Sequence, residues 1–375
     1  MALASIAVGR FPVPFRRPFT HAAATRDTAD NIIVVATSDS GVVGFGEGCP
    51  RDYVTGESAA TSRAFISSIA SDLPEAARDL DALRHLVDAR SSDIDRNPAA
   101  FCAVELALLD MIAHERGIGV EALLGQPPVH HLHRYTAVIG DTSPTASWWL
   151  WLRYRLLGLR DFKVKLSVDP ARDRARLAPH GLLGGRLRLD ANNLWRNVDD
   201  AVAHLRALHT PAFAIEEPLA PHDIAGCQLV ASTAGIAIIL DESFVSPATL
   251  AALPHGPRWI ANVRVSKLGG VLRSLAAIDA ARRHGIEIIV GAHVGETGLL
   301  TRAALPVARA AGPALVAQEG AFGTYLLRND LASPSPRFGR GGWLPRRRLP
   351  GAGATGWGLT IDQTQLVDVY PVRLA

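Results

Sequence analysis

Seven ionisable residues recur along the chain at a nearly constant interval: Lys165, Asp190, Glu216, Asp241, Lys267, His293 and Glu319, spaced 25, 26, 25, 26, 26 and 26 residues apart. Such a period matches one strand–helix unit, so each residue falls at or just after the end of a predicted strand. Three carboxylates in a row, Asp190, Glu216 and Asp241, with no thiol or imidazole among them, suit a hard cation such as Mg²⁺, which prefers oxygen donors and keeps sites open for water or substrate. Lys163 and Lys165 share one strand face, two residues apart. Two close ammonium groups lower each other's pKa, and desolvation adds to this, so a lysine of this pair can act as a general base.

The elements that must position these groups can be read from the apolar pattern. From about residue 134 to 320, short β-rich runs alternate with helical segments. Eight strands are predicted: Tyr135–Ile139, Asp161–Leu166, Arg186–Asp190, Phe213–Glu216, Ile236–Asp241, Trp259–Val265, Ile286–Ala292 and Ala314–Gln318. Eightfold strand–helix alternation implies parallel strands that close into a barrel, whose active site forms at the C-terminal strand ends. Alternation within strands supports acids on the inner face: Phe213 and Ile215 lie opposite Ala214 and Glu216, and Ile238 and Leu240 lie opposite Ile239 and Asp241. Glu217 and Glu242 should point elsewhere and are second-choice ligands.

Before residue 130 the pattern is α+β. Asn31–Ser38 and Gly41–Gly46 read as a hairpin, and 57–73, 80–90 and 99–116 as helices, the last with an apolar stripe of Val104, Leu108 and Ile112. The predicted fold class is therefore α/β: a (β/α)8 TIM-type barrel, 131–330, with an N-terminal α+β capping domain, 1–130. The Pro-, Gly- and Arg-rich tail, 331–375, is expected to return to the cap through the strand-like Gly358-Leu-Thr-Ile361.

Composition excludes several classes. The chain has 375 residues, 48% of them apolar, and 39 Lys plus Arg against 36 Asp plus Glu. That near balance gives no basis for nucleic-acid binding, and the Arg346–Arg348 run reads as a solvated loop. No apolar run is long enough to cross a bilayer, and no secretory signal pattern opens the chain. Three widely spaced cysteines, Cys49, Cys102 and Cys227, fit a reducing cytoplasm better than a disulfide framework. The expected partner is a small carboxylate, and a homo-oligomer is compatible with the sequence.

In order, Val104-Glu-Leu-Ala-Leu-Leu-Asp110, Lys163-Val-Lys165, Asp190-Ala-Asn192, Glu216-Glu-Pro218, Asp241-Glu-Ser243 and Gly269-Gly270 resemble the successive motifs of the enolase superfamily, in its muconate-lactonizing and mandelate-racemase-like groups. The resemblance covers nearly the whole chain. It implies Lys165 as the base, Asp190, Glu216 and Asp241 as Mg²⁺ ligands, and proton abstraction next to a carboxylate. It also implies that N-terminal loops, here 16–27 and 49–57, select substrate, and the residues Arg16, Arg17, His21, Arg26 and Tyr53 in those loops suggest an anionic or polar substrate end.

One position departs from the pattern. Similar enzymes carry a second lysine five residues before the Gly-Gly pair, where this chain has Arg264. Arginine stays protonated and cannot serve as a base, but it can hold a carboxylate. Lys267 keeps the interval, although strand parity puts it on the opposite face from Arg264 unless the strand has already turned. His293, with Glu296 following, resembles the histidine region of mandelate-racemase-like enzymes. Lys267 and His293 are therefore both candidates for the second catalytic group, and Arg264, Glu296 and Glu319 for substrate contacts. The leading expectation is an isomerase: a racemase, epimerase or cycloisomerase. A dehydratase of a hydroxy or sugar acid is the alternative. A non-catalytic binding protein is disfavoured by the presence of all three acids and Lys165.

Overall fold

The structure is a computed structural model that describes residues 2–21, 24–129, 134–351 and 353–374, with the side chains of 17–21 and 24–26 outside that description. Its two larger sheets are joined through a buried helix. The first is antiparallel and built from β1 (Leu3–His21), β2 (Ala24–Ser38) and β3 (Val43–Gly48). The second is parallel and contains β4 (Ala137–Ile139), β5 (Asp161–Lys165), β6 (Arg186–Asp190), β7 (Ala214–Glu216), β8 (Ala237–Leu240), β9 (Trp259–Arg264), β10 (Glu287–Gly291) and β11 (Leu315–Gln318) in sequential order. Its edges meet where the Thr136 N–H donates to Gln318 O at 2.8 Å and the Gln318 amide donates to the Tyr135 hydroxyl at 3.1 Å. Each of β4 to β10 is followed by an α-helix, as the alternation predicts, and β11 by the short 3-10 turn Gly323–Tyr325.

The two sheets are joined by the helix Pro98–Glu115. The stripe read from the sequence understates its burial: every residue from Pro98 to Ala113 is buried. The reason lies on β3. Gly44, Gly46 and Gly48 share one strand face, and a Cβ on any of them would strike the helix backbone at Ala107, Ala103 and Ala99 respectively. Glycine facing alanine brings the two backbones into contact. The helix's other side meets the barrel, where Glu105 accepts hydrogen bonds from Val271 N at 2.5 Å and Leu272 N at 3.0 Å.

That carboxylate explains the Gly269-Gly270 pair. Both have positive φ, +85° and +121°, and a Cβ on Gly270 would run into the Glu105 carboxylate. A side chain at either position would be strained as well as crowded.

The C-terminal tail differs from expectation in detail. Within it, β12 (Ala332–Ser333) pairs with β13 (Thr360–Ile361), so the strand-like segment near Gly358 stays beside the tail's own chain. It is β14 (Val367–Val372) that adds to the N-terminal sheet, antiparallel to β1. The described residues of 16–27 are strand, not loop: β1 runs to His21 and β2 begins at Ala24, with Phe19 opposite Arg26 and His21 opposite Ala24. Among the described residues, no helix is long and apolar enough to cross a membrane.

Candidate active site

Parallel strand register aligns the predicted residues in one layer. Lys165 pairs with Asp190, and Asp190 with Glu216. Asp241 follows directly on β8, and Arg264 ends β9. The acids are 1% exposed, which leaves them dependent on nearby cations.

Those cations come from two sides. From β5, Lys163 Nζ lies 2.8 Å from Glu216, 3.2 Å from Asp190 and 3.3 Å from Glu319. Lys165 Nζ donates to Asn192 Oδ1 at 2.7 Å and lies 3.6 Å from Asp190. From β9, the Arg264 guanidinium contacts Asp241 directly and stands 3.7 Å from Glu216. Two of the three acids thus converge on one cationic group. All-oxygen donors that already converge on a cation fit a divalent ion of the Mg²⁺ type.

Lys267 reaches the same layer by a turn. Past Arg264 the chain leaves β9 and enters the short helix Val265–Leu268, so the strand has already turned and strand parity no longer applies at Lys267, which swings inward. Its Nζ donates to Asp241 Oδ1 at 2.7 Å, to Asp241 O at 2.5 Å and to Asn262 O at 3.3 Å. All three ammonium hydrogens are thereby engaged. Glu217, with a φ of +39°, turns away from the layer. It accepts from Asp241 N at 2.7 Å, Ser243 N at 2.8 Å and Ser243 Oγ at 2.9 Å, and so fixes the end of β8.

Electrostatics depart from the lysine-pair expectation. Burial acts to lower Lys163, but Asp190, Glu216 and Glu319 outweigh it and hold it above its usual range. Against burial, Lys163 and Lys165 hold Asp190 well below the usual carboxylate range. Burial raises Glu216, opposed by Lys163. Lys267 is pushed down, first by burial and then by Arg264. Lys267 on the far side is thus lowered, and Lys163 moves the other way.

The remaining candidates lie around this layer. Glu319 accepts from Arg188 at 2.7 Å in the barrel interior, and Lys163 and Arg188 hold it low against its burial. His293 is 4% exposed, and burial together with Arg264 and Arg51 pushes it well below its usual value. Glu296 accepts from His293 N at 2.7 Å and is pushed up to about 8 by burial. Tyr53 lines a cavity of about 140 Å³ with Phe15, Thr28, Arg51 and Val294, between the N-terminal sheet and the loop after β10. The side chains of Arg17, His21 and Arg26 lie outside the described residues.

Two contributors are missing from the sequence reading. Arg188 is fully buried and bridges Asp161 at 2.6 Å and Glu319 at 2.7 Å. It sits two residues before Asp190 on the same strand face, so the alternation that placed the acid also marks the arginine. Asn262, 3.4 Å from Glu216, faces inward from β9 in the same way as Arg264.

Comparison with known proteins agrees with this geometry. Residues 151–365 match the family described as Enolase C-terminal domain-like, and residues 5–125 match the Mandelate racemase / muconate lactonizing enzyme, N-terminal domain. The chain is 27% identical to a hydrophobic dipeptide epimerase of Enterococcus faecalis, over 83% of this chain and 88% of that protein. It is 29% identical to an L-Ala-D/L-Glu epimerase of Bacillus subtilis, over 78% and 81%. A dipeptide epimerase from Cytophaga hutchinsonii, solved with Mg and the dipeptide D-Ala-L-Val, superposes with a TM-score of 0.84 at 22% identity, over 100% of both chains. These relatives agree with the expected barrel fold, with an enzyme of the isomerase class and with Mg²⁺ as its ion. The chain belongs to the mandelate racemase / muconate lactonizing enzyme family of the enolase superfamily.

Proposed function

We propose that the chain isomerises a small carboxylate of the N-acylated amino acid or dipeptide kind. In this reading Lys165 moves the proton on the carbon next to the carboxylate. Asp190, Glu216 and Asp241 would hold Mg²⁺, which supplies positive charge for the substrate carboxylate and so acidifies the neighbouring C–H. The observation that carries the reading is the position of Lys165. It stands at the edge of the acid layer, held by Asn192 and partly open, whereas Lys163 is buried among three carboxylates. Lys163 and Arg188 keep the acids charged and in place. Lys267, with its hydrogens on Asp241 and Asn262, is a positioning residue for Asp241. The cavity beside Tyr53 is where the group attached to the amino acid would lie. The three cysteines are free and buried, which suits a reducing cytoplasmic setting.

The test is deuterium incorporation from D₂O into L-Ala-L-Glu and L-Ala-D-Glu, with and without Mg²⁺. Exchange and epimerisation that require Mg²⁺ are the expected outcome. No exchange into any N-acyl amino acid or dipeptide would overturn the substrate class.

Arg264 favours a second reading. Racemisation needs a proton-transferring group on each face of the carbon, and the guanidinium opposite Lys165 stays protonated. Elimination of water, or an intramolecular cycloisomerisation, needs only one base plus a fixed positive charge. Exchange from a single enantiomer, together with release of water from a hydroxy acid, would establish this reading over epimerisation.

A further inference from the structure

Behind the barrel mouth, where the N-terminal sheet meets the seventh barrel strand, three donors of different chemistry converge. Cys49 follows β3, and His293 and Glu296 follow β10. The Cys49 sulfur, a His293 ring nitrogen and a Glu296 carboxylate oxygen all lie within 4.8 Å of one another. Cys49 and His293 are buried, and the Glu296 side chain is 7% exposed. Neither ring nitrogen of His293 has a hydrogen-bond partner among the described residues. Its Nδ1 is 3.9 Å from Glu296 Oε1, beyond hydrogen-bond reach. An imidazole in so enclosed a position, with both nitrogens unsatisfied, calls for a partner that these residues do not supply.

We propose that Cys49, His293 and Glu296 bind a thiophilic divalent ion of the Zn²⁺ type, separate from the Mg²⁺ carboxylates, clasping the N-terminal sheet to the barrel.

The donor sets tell the two ions apart. Thiolate and imidazole select borderline-soft metals, whereas the all-carboxylate layer selects Mg²⁺. Burial, with Arg264 and Arg51, keeps His293 neutral, which is the ligating form. Burial keeps the Cys49 thiol protonated and pushes the Glu296 carboxyl up to about 8, so binding exchanges both protons for the metal: the S–H and O–H bonds break, the bonds to the metal form, and two H⁺ leave to solvent. The resulting thiolate and the Glu296 carboxylate balance the dication. Arg51 and Arg264 oppose it, and the nearby Glu47 favours it. A tetrahedral ion about 2.0–2.3 Å from each donor holds its donors roughly 3.3–3.8 Å apart, so side-chain rotation must close up to about 1 Å. Backbone contacts limit how much else moves: Cys49 N donates to Ser266 Oγ at 2.9 Å, and His293 N donates to Glu296 at 2.7 Å.

The test uses the full chain saturated with Mg²⁺ and titrated with Co²⁺. The expected result is one equivalent of Co²⁺ that develops a near-ultraviolet sulfur-to-cobalt charge-transfer band, bleached by Zn²⁺. Cys49→Ser loses that band and Cys102→Ser keeps it. Co²⁺ binding with no sulfur band in the wild type, or a band that survives in Cys49→Ser, overturns the proposal. Should Cys49→Ser fail to fold, ¹¹³Cd NMR of the wild type decides: a signal shifted by one sulfur ligand supports the site, and oxygen-ligand signals alone reject it.

Discussion

On one flank of the barrel mouth, Lys163 and Lys165 reach the acids straight from β5. On the other, Lys267 reaches Asp241 only because the chain has left β9 and turned through Val265–Leu268. The first flank obeys strand alternation: two residues apart means the same face, and both ammonium groups point inward. The second flank does not, and its inward strand residue at that level is Arg264. The flanks also differ in freedom. Among the described residues, Lys165 has one hydrogen bond and a partly open side chain, whereas Lys267 has three acceptors. A group that must pick up and release a proton needs freedom from fixed partners, so the asymmetry supports the proposal that proton transfer belongs to the β5 side and charge support to the β9 side.

The largest expected effect follows from that assignment. Lys165→Ala should lower α-hydrogen exchange in D₂O by about 10²–10⁴-fold, the usual worth of a positioned acid–base group. Its circular dichroism and melting temperature should stay close to wild type. A folded variant that exchanges at the wild-type rate would break the comparison outright.

Next come the acids. Asp190→Asn, Glu216→Gln and Asp241→Asn should each weaken Mg²⁺ binding by more than the roughly 10–100-fold associated with outer-sphere partners. Titration calorimetry would measure this. Full Mg²⁺ affinity in any of the three would remove that acid from the ligand set.

Lys267→Met sharpens the contrast between the flanks. As a positioning residue it should weaken Mg²⁺ binding by about 10–100-fold while the exchange rate at saturating Mg²⁺ changes less. The split matters more than the size. Unchanged Mg²⁺ affinity with exchange lost from one enantiomer alone would make Lys267 a catalytic residue on the second face.

The smallest effect is one of stability. Gly270→Ala forces a side chain into the φ of +121° and against Glu105, which caps the helix that follows. A cost of about 1–3 kcal/mol is expected from strain of this kind, read from a urea melt. A variant as stable as wild type would mean that the Glu105 contact yields easily and does not hold the β9 flank against the central helix.

The amino-acid order alone determined the barrel and most of its mouth. Apolar alternation and the 25- or 26-residue interval depend on local geometry, the strand period of two and the length of one strand–helix unit, and both are written in the order of residues. The eight strands and the placing of Lys165, Asp190, Glu216 and Asp241 at their ends follow from that. Tertiary structure decided what depends on where the chain stops being a strand and on what lies across a contact. Lys267 faces inward because the chain turns into the helix Val265–Leu268 directly after β9, where strand parity no longer applies. Lys163 is raised, not lowered, because acids from β6, β7 and the residue after β11 surround it, and no local pattern shows the charges of three strand ends at once. Cys49 and His293 stand 244 residues apart in the chain and meet only because the N-terminal sheet packs on the barrel.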